Sequence, residues 1–312
     1  MAEMTTPDLT QGATQDSTRS QPHAPAPSLA RWYQTTEWFS YRGHRVVAQH
    51  HHADQGEATL VIHGFPTASW DWHAIWPTLK SLGPLVAPDM IGFGYSAKPR
   101  DYNYSIRDQA QLCLSLCREL GINRVHLLAH DYGDSVAQEL LSLAPPELEI
   151  LSAYLLNGGI IPDQHRPRPV QHLLIGPLGP LVARLMSRKR FYRSFAEVFG
   201  PDTQPSEGEL AACWQLIEQH GGRRVMAAIS QYIRERQEHG ERWINAVRHA
   251  SCPVGALIGE LDPVSGAHLA DALAQECPNV QLTRDPTIGH YPQLEAPETV
   301  SRCYLRFRTG DG

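Results

Sequence analysis

The sequence predicts an α/β fold in which an eight-stranded, mostly parallel sheet is interrupted by an all-helical insertion. Short apolar runs bounded by turns alternate with amphipathic helical patterns, which is typical of strands that are buried on both faces of a parallel sheet. From residue 160 to residue 250 the alternation stops and only helical patterns remain. It resumes at Val254, so we expect a helical cap inserted after the sixth strand.

The elements before the insertion begin with a hairpin. It is predicted from Trp38 to His52 and turns at Arg42 and Gly43. Strands are then predicted at 58–62, 84–89, 124–130 and 151–156, and helices at 107–120 and 134–143. Since these strands lack a polar face, helices are expected on both sides of the sheet.

The insertion and the last part of the chain complete the fold. Helical patterns cover 169–186, 191–199, 206–219, 223–237 and 241–250; beyond them, strands are predicted at 254–258 and 280–284 and helices at 267–275 and 298–307. The chain is thus divided into a tail (1–28), a first core part (29–159), a cap (160–250) and a second core part (251–312). The tail is rich in Thr, Ser, Gln, Pro and Ala, which predicts disorder.

Composition narrows the functional class. A chain of 312 residues, 42% of them hydrophobic, is long enough to bury a large core. Its net charge of −6, from 27 basic and 33 acidic residues, lacks the basic excess typical of nucleic-acid binding. Six scattered cysteines without a CxxC pair favour free thiols and a cytoplasmic setting.

Membrane signals are weak. The N-terminal residues have no basic start followed by an apolar stretch, which argues against a secretory signal. The longest apolar stretch, near residues 173–186, contains Pro177, Pro180 and Arg184, and is too short and broken to span a bilayer. Arg188, Lys189 and Arg190 follow it, so peripheral contact with anionic lipid stays open. No pattern indicates an oligomeric state.

Asp131 occupies a sharp strand-to-helix turn. It follows the strand at 124–130 and precedes a helix, and small residues, Ala129 and Gly133, lie two positions to either side. This is the nucleophile-elbow pattern, small-x-nucleophile-x-small. A carboxylate at this position would attack saturated carbon and form an ester on the enzyme. The alternative is a simple helix N-cap.

Two further residues complete a triad in the expected order. Asp262 comes just after the strand at 254–258, and His290 lies in the loop after the strand at 280–284. The order nucleophile, acid, histidine is that of the α/β-hydrolases. The segment His63-Gly-Phe-Pro follows the strand at 58–62, so the N–H groups of Phe65 and Tyr132 are predicted to form an oxyanion hole.

Several motifs together carry a family resemblance. HGFPT, DMIGFGYSAKP, HDYGD, GELDP and IGHYPQLE resemble the haloalkane dehalogenase/epoxide hydrolase branch of the α/β-hydrolases. The closest likeness is to the mesoderm-specific transcript (MEST) proteins, with HDYGDSVAQELL, NGGIIPDQHRP, VFGPDTQPSEGEL and HYPQLEAPE. The resemblance runs from about Trp38 to Phe307, so it includes the cap.

The resemblance implies a mechanism and a substrate class. Asp131 would form an alkyl-enzyme ester with a small lipophilic electrophile. His290, oriented by Asp262, would activate water against that ester while the N–H groups of Phe65 and Tyr132 hold the oxyanion. Neither a metal nor an organic cofactor is implied.

The leaving group separates two readings of this mechanism. Dehalogenases bind halide with side-chain N–H donors, where this sequence has Tyr132 and Phe65. Epoxide hydrolases use cap tyrosines, which Tyr232 resembles in placement, although ordinary helix packing is the alternative for Tyr232. This favours an epoxide or a similar electrophile. Haloalkane dehalogenation and a non-catalytic ligand-binding protein are the alternatives. Trp70 and Trp72 are expected to line or floor the pocket.

Overall fold

The computed structural model describes residues 29–53 and 56–310. The predicted disordered tail, residues 1–28, lies outside the described residues. Eight strands of the described chain form one sheet: β1 (Thr36–Tyr41), β2 (His44–His51), β3 (Ala58–Ile62), β4 (Leu85–Asp89), β5 (Arg124–His130), β6 (Glu149–Leu156), β7 (Val254–Gly259) and β8 (Gln281–Asp285).

The sheet is mostly parallel, as the sequence predicts. Its strand order is β1-β2-β4-β3-β5-β6-β7-β8. The β1–β2 hairpin and the β2–β4 pair are antiparallel, and all other neighbouring strands of this sheet run parallel. Strands β3, β4 and β7 are buried along their whole length, because both faces of the sheet are covered.

Helices flank the sheet and form the insertion. Their bounds are α1 (Leu29–Tyr33), α2 (Trp76–Leu79), α3 (Ile106–Glu119), α4 (Tyr132–Leu143), α5 (Pro169–Ile175), α6 (Gly179–Leu185), α7 (Arg188–Ala196), α8 (Glu207–Glu218), α9 (Met226–Ile229), α10 (Tyr232–Arg248), α11 (Ala267–Glu276), α12 (Pro292–Glu295) and α13 (Pro297–Thr309). Short 3₁₀ helices lie at Ser69–Trp72, Lys80–Leu82, Pro162–Gln164 and Gln219–Arg224. In the described part of the chain, none of the helices is long and apolar enough to cross a bilayer.

The cap, residues 160–250, contains α5 to α10 and differs from the prediction at two places. The helix predicted over 169–186 is divided into α5 and α6 near Pro177, because proline lacks an N–H and disfavours a helical residue before it. The two helices predicted over 223–237 and 241–250 are replaced by α9 and the long, continuous α10. Gly240 lies inside α10 and packs against Pro162, where a β-carbon would collide with the proline ring.

Candidate active site

A cavity of about 440 Å³ lies between the cap and the sheet. Asp131 and His290 form part of its core side, together with the loop at Phe65 and Pro66. The cap supplies a largely apolar wall that includes Leu174, Val182, Met186, Phe191, Phe195 and Met226. The cap also contributes charged residues to the lining, Arg168, Arg190, Arg193 and Glu197. A mainly apolar cavity with a few polar groups suits a lipophilic ligand.

Asp131 lies at a strained bend between β5 and α4. Its backbone has φ 47° and ψ −105°, outside the regions that most side chains adopt. The neighbouring backbone explains the small residue at position 133, because a β-carbon on Gly133 would collide with the carbonyl oxygen of Ile62. The end of β3 and the start of α4 therefore lie close together here, and the bend presents the Asp131 side chain to the cavity.

Both carboxylate oxygens of Asp131 face hydrogen-bond donors. The Phe65 N–H donates to Oδ2 at 3.1 Å, and Nη2 of Arg236, from α10, lies 3.3 Å from Oδ1. Burial by itself would raise the pKa of Asp131, but the positive charges of Arg236 and His290 outweigh it and lower the pKa to about 2. The carboxylate is therefore ionised at neutral pH.

Asp262 and His290 form a hydrogen-bonded pair, of which His290 lines the cavity. His290 Nδ1 lies 2.7 Å from Asp262 Oδ2, and Nε2 lies 4.0 Å from Asp131 Oδ2. Burial opposes protonation of His290, but the charges of Asp262 and then Asp131 raise its pKa to about 9. The structure thus brings together the three residues of the predicted triad, with the imidazole between two carboxylates.

The surrounding backbone fixes the Asp262–His290 pair. Asp262 Oδ1 accepts the Val264 N–H at 2.7 Å, and Asp262 Oδ2 accepts from Asn157 Nδ2 at 3.1 Å. Asn157 also accepts the Gly259 N–H at 2.8 Å, which ties the end of β6 to the end of β7. These contacts leave Asp262 one orientation, and its Oδ2 in turn orients the imidazole.

Glu295 holds the loop that carries His290. Its buried carboxylate accepts the N–H groups of Gly289 and Tyr291 at 2.7 and 2.8 Å. It also accepts from the cap, through the Gly200 N–H at 2.8 Å and Thr203 Oγ1 at 2.6 Å. Glu295 therefore joins the histidine loop to the cap.

The structure places the other predicted site residues behind the cavity wall. The Tyr232 side chain is fully buried, and its hydroxyl accepts from Nε2 of Gln171, a residue that lines the cavity. The phenol of Tyr132 is also buried and packs edge-on against Phe93 and Tyr232. A halide in the cavity would therefore not meet the Tyr132 hydroxyl.

Trp70 and Trp72 do not occupy the position that the sequence suggested. Both indoles are completely buried in the core, and Trp70 stacks on His73. The described residues that line the cavity come from the cap and from loops at the sheet edge. Neither indole can contact a substrate there, because the 3₁₀ helix at Ser69–Trp72 turns both side chains inward.

Sequence reasoning missed Arg236, Asn157 and Glu295. Asn157 and Glu295 had a local signal, since each lies within a few residues of a strand end or of His290. Arg236 had none, because it lies in the charged stretch Arg234-Glu-Arg236, which resembles a solvent-exposed helix face. Among the residues that the structure describes, no group of three or more His, Cys, Asp or Glu side chains is arranged to hold a metal ion.

Comparisons with known proteins identify relatives along most of the chain. A family model for the alpha/beta hydrolase fold matches residues 59–297. The mesoderm-specific transcript homolog protein of Bos taurus is 40% identical over 295 residues, which cover 90% of this chain and 88% of that protein. A Mycobacterium tuberculosis protein that carries the hydrolase name LipZ is 34% identical over 283 residues, covering 90% of this chain and 98% of its own length.

Solved structures share the architecture. The haloalkane dehalogenase DbeA-M1 loop variant from Bradyrhizobium elkanii is similar with a TM-score of 0.75 and 22% identity, covering 88% of this chain and 96% of its own. The epoxide hydrolase CorEH is similar with a TM-score of 0.72 and 21% identity, covering 89% and 99%. At these identities the two structures establish the fold and leave the substrate open.

Proposed function

Because the chain belongs to the α/β-hydrolase fold family and to its mesoderm-specific transcript group, we propose that it is a hydrolase that works through an ester on Asp131. Its substrate is a lipophilic epoxide or a similar small electrophile. The observation that carries this proposal is the ionised carboxylate at the bend after β5, which faces an apolar cavity with an imidazole 4.0 Å away.

In the first step, Asp131 Oδ1 attacks an epoxide carbon. A C–O bond forms to the enzyme, the ring C–O bond breaks, and the released oxygen takes a proton. Oδ2 becomes the ester carbonyl oxygen, and the Phe65 N–H already contacts it at 3.1 Å. Tyr232, the proton donor that the sequence suggests, does not line the cavity, so we assign this proton to solvent.

In the second step, His290 activates water against the ester carbon. While Asp131 is an anion, its charge helps to raise the pKa of His290 to about 9, so the imidazole is protonated at neutral pH before the ester forms. Esterification removes that charge, so the pKa of His290 falls, and the imidazole that has released its proton to solvent is the neutral base that the step requires. Attack by water and loss of the alkoxy group release the diol and restore the carboxylate.

The cavity favours an epoxide over a halide. A departing halide is stabilised by side-chain N–H donors near the nucleophile, and Phe65 offers only its backbone. At the other donor position, Tyr132 has its phenol buried in the core. Haloalkane dehalogenation is therefore the weaker candidate, because it would need a different halide site.

The test is covalent trapping with the His290→Gln variant. Incubated with styrene oxide and a series of 1,2-epoxyalkanes, the variant is expected to retain the mass of one epoxide on the peptide that contains Asp131. The wild-type protein should turn the same compounds over to diols. His268→Gln is the matched control, since this half-buried histidine lies outside the triad and its variant should accumulate no adduct.

Other outcomes would contradict the proposal. Release of halide from dihaloalkanes without diol formation would favour a dehalogenase. If epoxides and haloalkanes label neither protein and no product forms, the third hypothesis, a non-catalytic binding protein on this fold, takes precedence.

A further inference from the structure

Arg236 is a buried cation that links the cap directly to Asp131. It lies on α10, and only 1% of its surface is exposed. Nη2 donates to the backbone oxygen of Asp131 at 2.7 Å as well as facing Oδ1 at 3.3 Å. Nε donates to Ser135 Oγ at 2.8 Å, and Nη1 lies 3.1 Å from His165 Nδ1. The guanidinium also covers the Tyr232 ring at 4.6 Å.

These contacts use the planar fork of an arginine. Three of its nitrogens point to three different partners, which hold the guanidinium in one orientation. The oxygen that accepts from Nη2 belongs to the residue with φ 47°. Arg236 therefore contacts both the strained backbone and the side chain of Asp131, where a lysine could supply charge but not the same geometry.

The electrostatics of the site depend on this cation. The titratable groups that face Asp131 are His63, Asp71, His130, Asp134, His165, Tyr232, Arg236, His290 and Tyr291. Burial lowers the pKa values of His63, His130 and His165, that of His130 to about 3, so these three imidazoles are neutral. Among these described groups, Arg236 and His290 are left as the cations.

The neighbouring acids show what burial does without such a partner. Asp71 and Asp134 are as buried as Asp131, and burial raises the pKa of each well above its ordinary value. Asp134 is one helical turn from Asp131 and its Oδ1 accepts the Leu156 N–H at 3.4 Å, but neither the backbone hydrogen bonds nor the charge of Arg236 outweighs its burial. Asp131 differs from these acids in its close contact with two cations, the guanidinium of Arg236 and the imidazole of His290.

We propose that Arg236 is a positioning residue for the reaction, which fixes the bend at Asp131 and holds its carboxylate ionised and aimed at the substrate. This inference rests on the proposed function, since it assigns a role only if Asp131 is the nucleophile. It makes a cap helix part of the machinery that prepares the first step. Removal of Arg236 should therefore impair ester formation more than the later hydrolysis.

A purely structural role is the competing explanation, and Arg242 offers a matched comparison. Arg242 lies on the same helix and also reaches α4, where it pairs with Glu139 and donates to Ser142 Oγ at 2.7 Å. Among the described residues it contacts no member of the triad, and it does not line the cavity. If α10 only needs to be attached to α4, the loss of either arginine should have similar effects.

The test measures ester formation alone, in the His290→Gln background, where Arg236 is the remaining full positive charge among the groups facing Asp131. The rate of labelling by styrene oxide is followed by intact mass between pH 4 and pH 8. Arg236→Met should slow labelling ~100-fold at neutral pH, as expected for a misplaced nucleophile, and more at acid pH. Arg236→Lys should recover part of the rate, and Arg242→Met should label at the parent rate at every pH.

A second measurement needs no substrate. With ¹³Cγ-labelled aspartate, and Asp131 assigned through Asp131→Asn, NMR should show an ionised Asp131 across this pH range in the parent and a titration within it in Arg236→Met. Parent-like labelling and parent-like ionisation in Arg236→Met, or an equal loss in Arg242→Met, would overturn the proposal. If the parent is never labelled, the proposed function fails, while the NMR titration still decides whether Arg236 sets the ionisation of Asp131.

Discussion

The core side and the cap side of the cavity are built from different kinds of contact. On the core side, Asp131 and Asp262 each accept several directed hydrogen bonds, and His290 is fixed between them. On the cap side, the wall consists largely of apolar side chains such as Val182 and Met226, whose contacts have no preferred direction. The core side can therefore impose the geometry of a reaction, and the cap wall can select by size and polarity.

The largest expected effect comes from breaking the core side at Asp131. Asp131→Asn replaces a nucleophilic carboxylate with an amide, so kcat/KM for epoxide hydrolysis should fall by ~10⁴-fold or more. The adduct should also disappear from the His290→Gln background, as intact mass would show. Labelling of the Asn variant at the parent rate, on any peptide, would place the nucleophile elsewhere.

The second-largest effect is expected at Glu295, which joins the core side to the cap side. Glu295→Gln leaves one carbonyl oxygen and adds an amide group that faces N–H donors, so we expect a loss of about 3 kcal/mol in the free energy of unfolding. Ester hydrolysis should slow as well, because Gly289 and Tyr291, which Glu295 holds, flank His290. Urea denaturation and single-turnover kinetics measure these changes.

Thr203→Val is the control for that variant. It removes a single hydrogen bond to Glu295 from the cap and leaves the two N–H groups beside His290 in place. It should cost about 1 kcal/mol and leave hydrolysis unchanged. Equal kinetic losses in the two variants would mean that Glu295 acts on the cap and not on the histidine loop.

Sequence patterns were informative where the signal is local. Asp131, Asp262 and His290 each lie within a few residues of the end of a strand, so the order of strands already predicts that they meet at one edge of the sheet. The inward direction of Trp70 and Trp72 depends on a short 3₁₀ helix that leaves no periodic signal. Arg236 is buried only because α10 packs on α4, about 100 residues earlier in the chain. Such contacts between distant segments cannot be read from residue spacing.

A smaller effect is expected from the cap wall. Val182→Ala removes two methyl groups from the cavity, worth about 0.8 kcal/mol each, so KM should rise by roughly 10-fold for epoxyalkanes long enough to reach them. Short epoxides and the rate of ester hydrolysis should be unaffected. Leu178→Ala is the control, because Leu178 is 66% exposed and lies just before α6. A fall in kcat with every substrate would contradict the division between the two sides.

The smallest effect concerns Glu235, the neighbour of Arg236, which contacts α3. Its carboxylate accepts the Ile106 N–H of α3 at 3.0 Å, and burial, aided by the charges of Glu139 and Glu238, raises its pKa to about 7. Since the folded pKa lies above the ordinary value of 4.5, the stabilisation from proton binding is complete below pH 4.5 and is lost as the pH rises through 7.

Glu235→Gln should therefore add about 1 kcal/mol of stability at pH 8, after allowance for its partial exposure, and nothing at pH 4. Thermal melts at the two pH values measure this, with Glu119→Gln, an exposed residue of α3, as the control. A gain of equal size at both pH values would show that the amide stabilises the contact with α3 directly, and that burial of charge is not the cause.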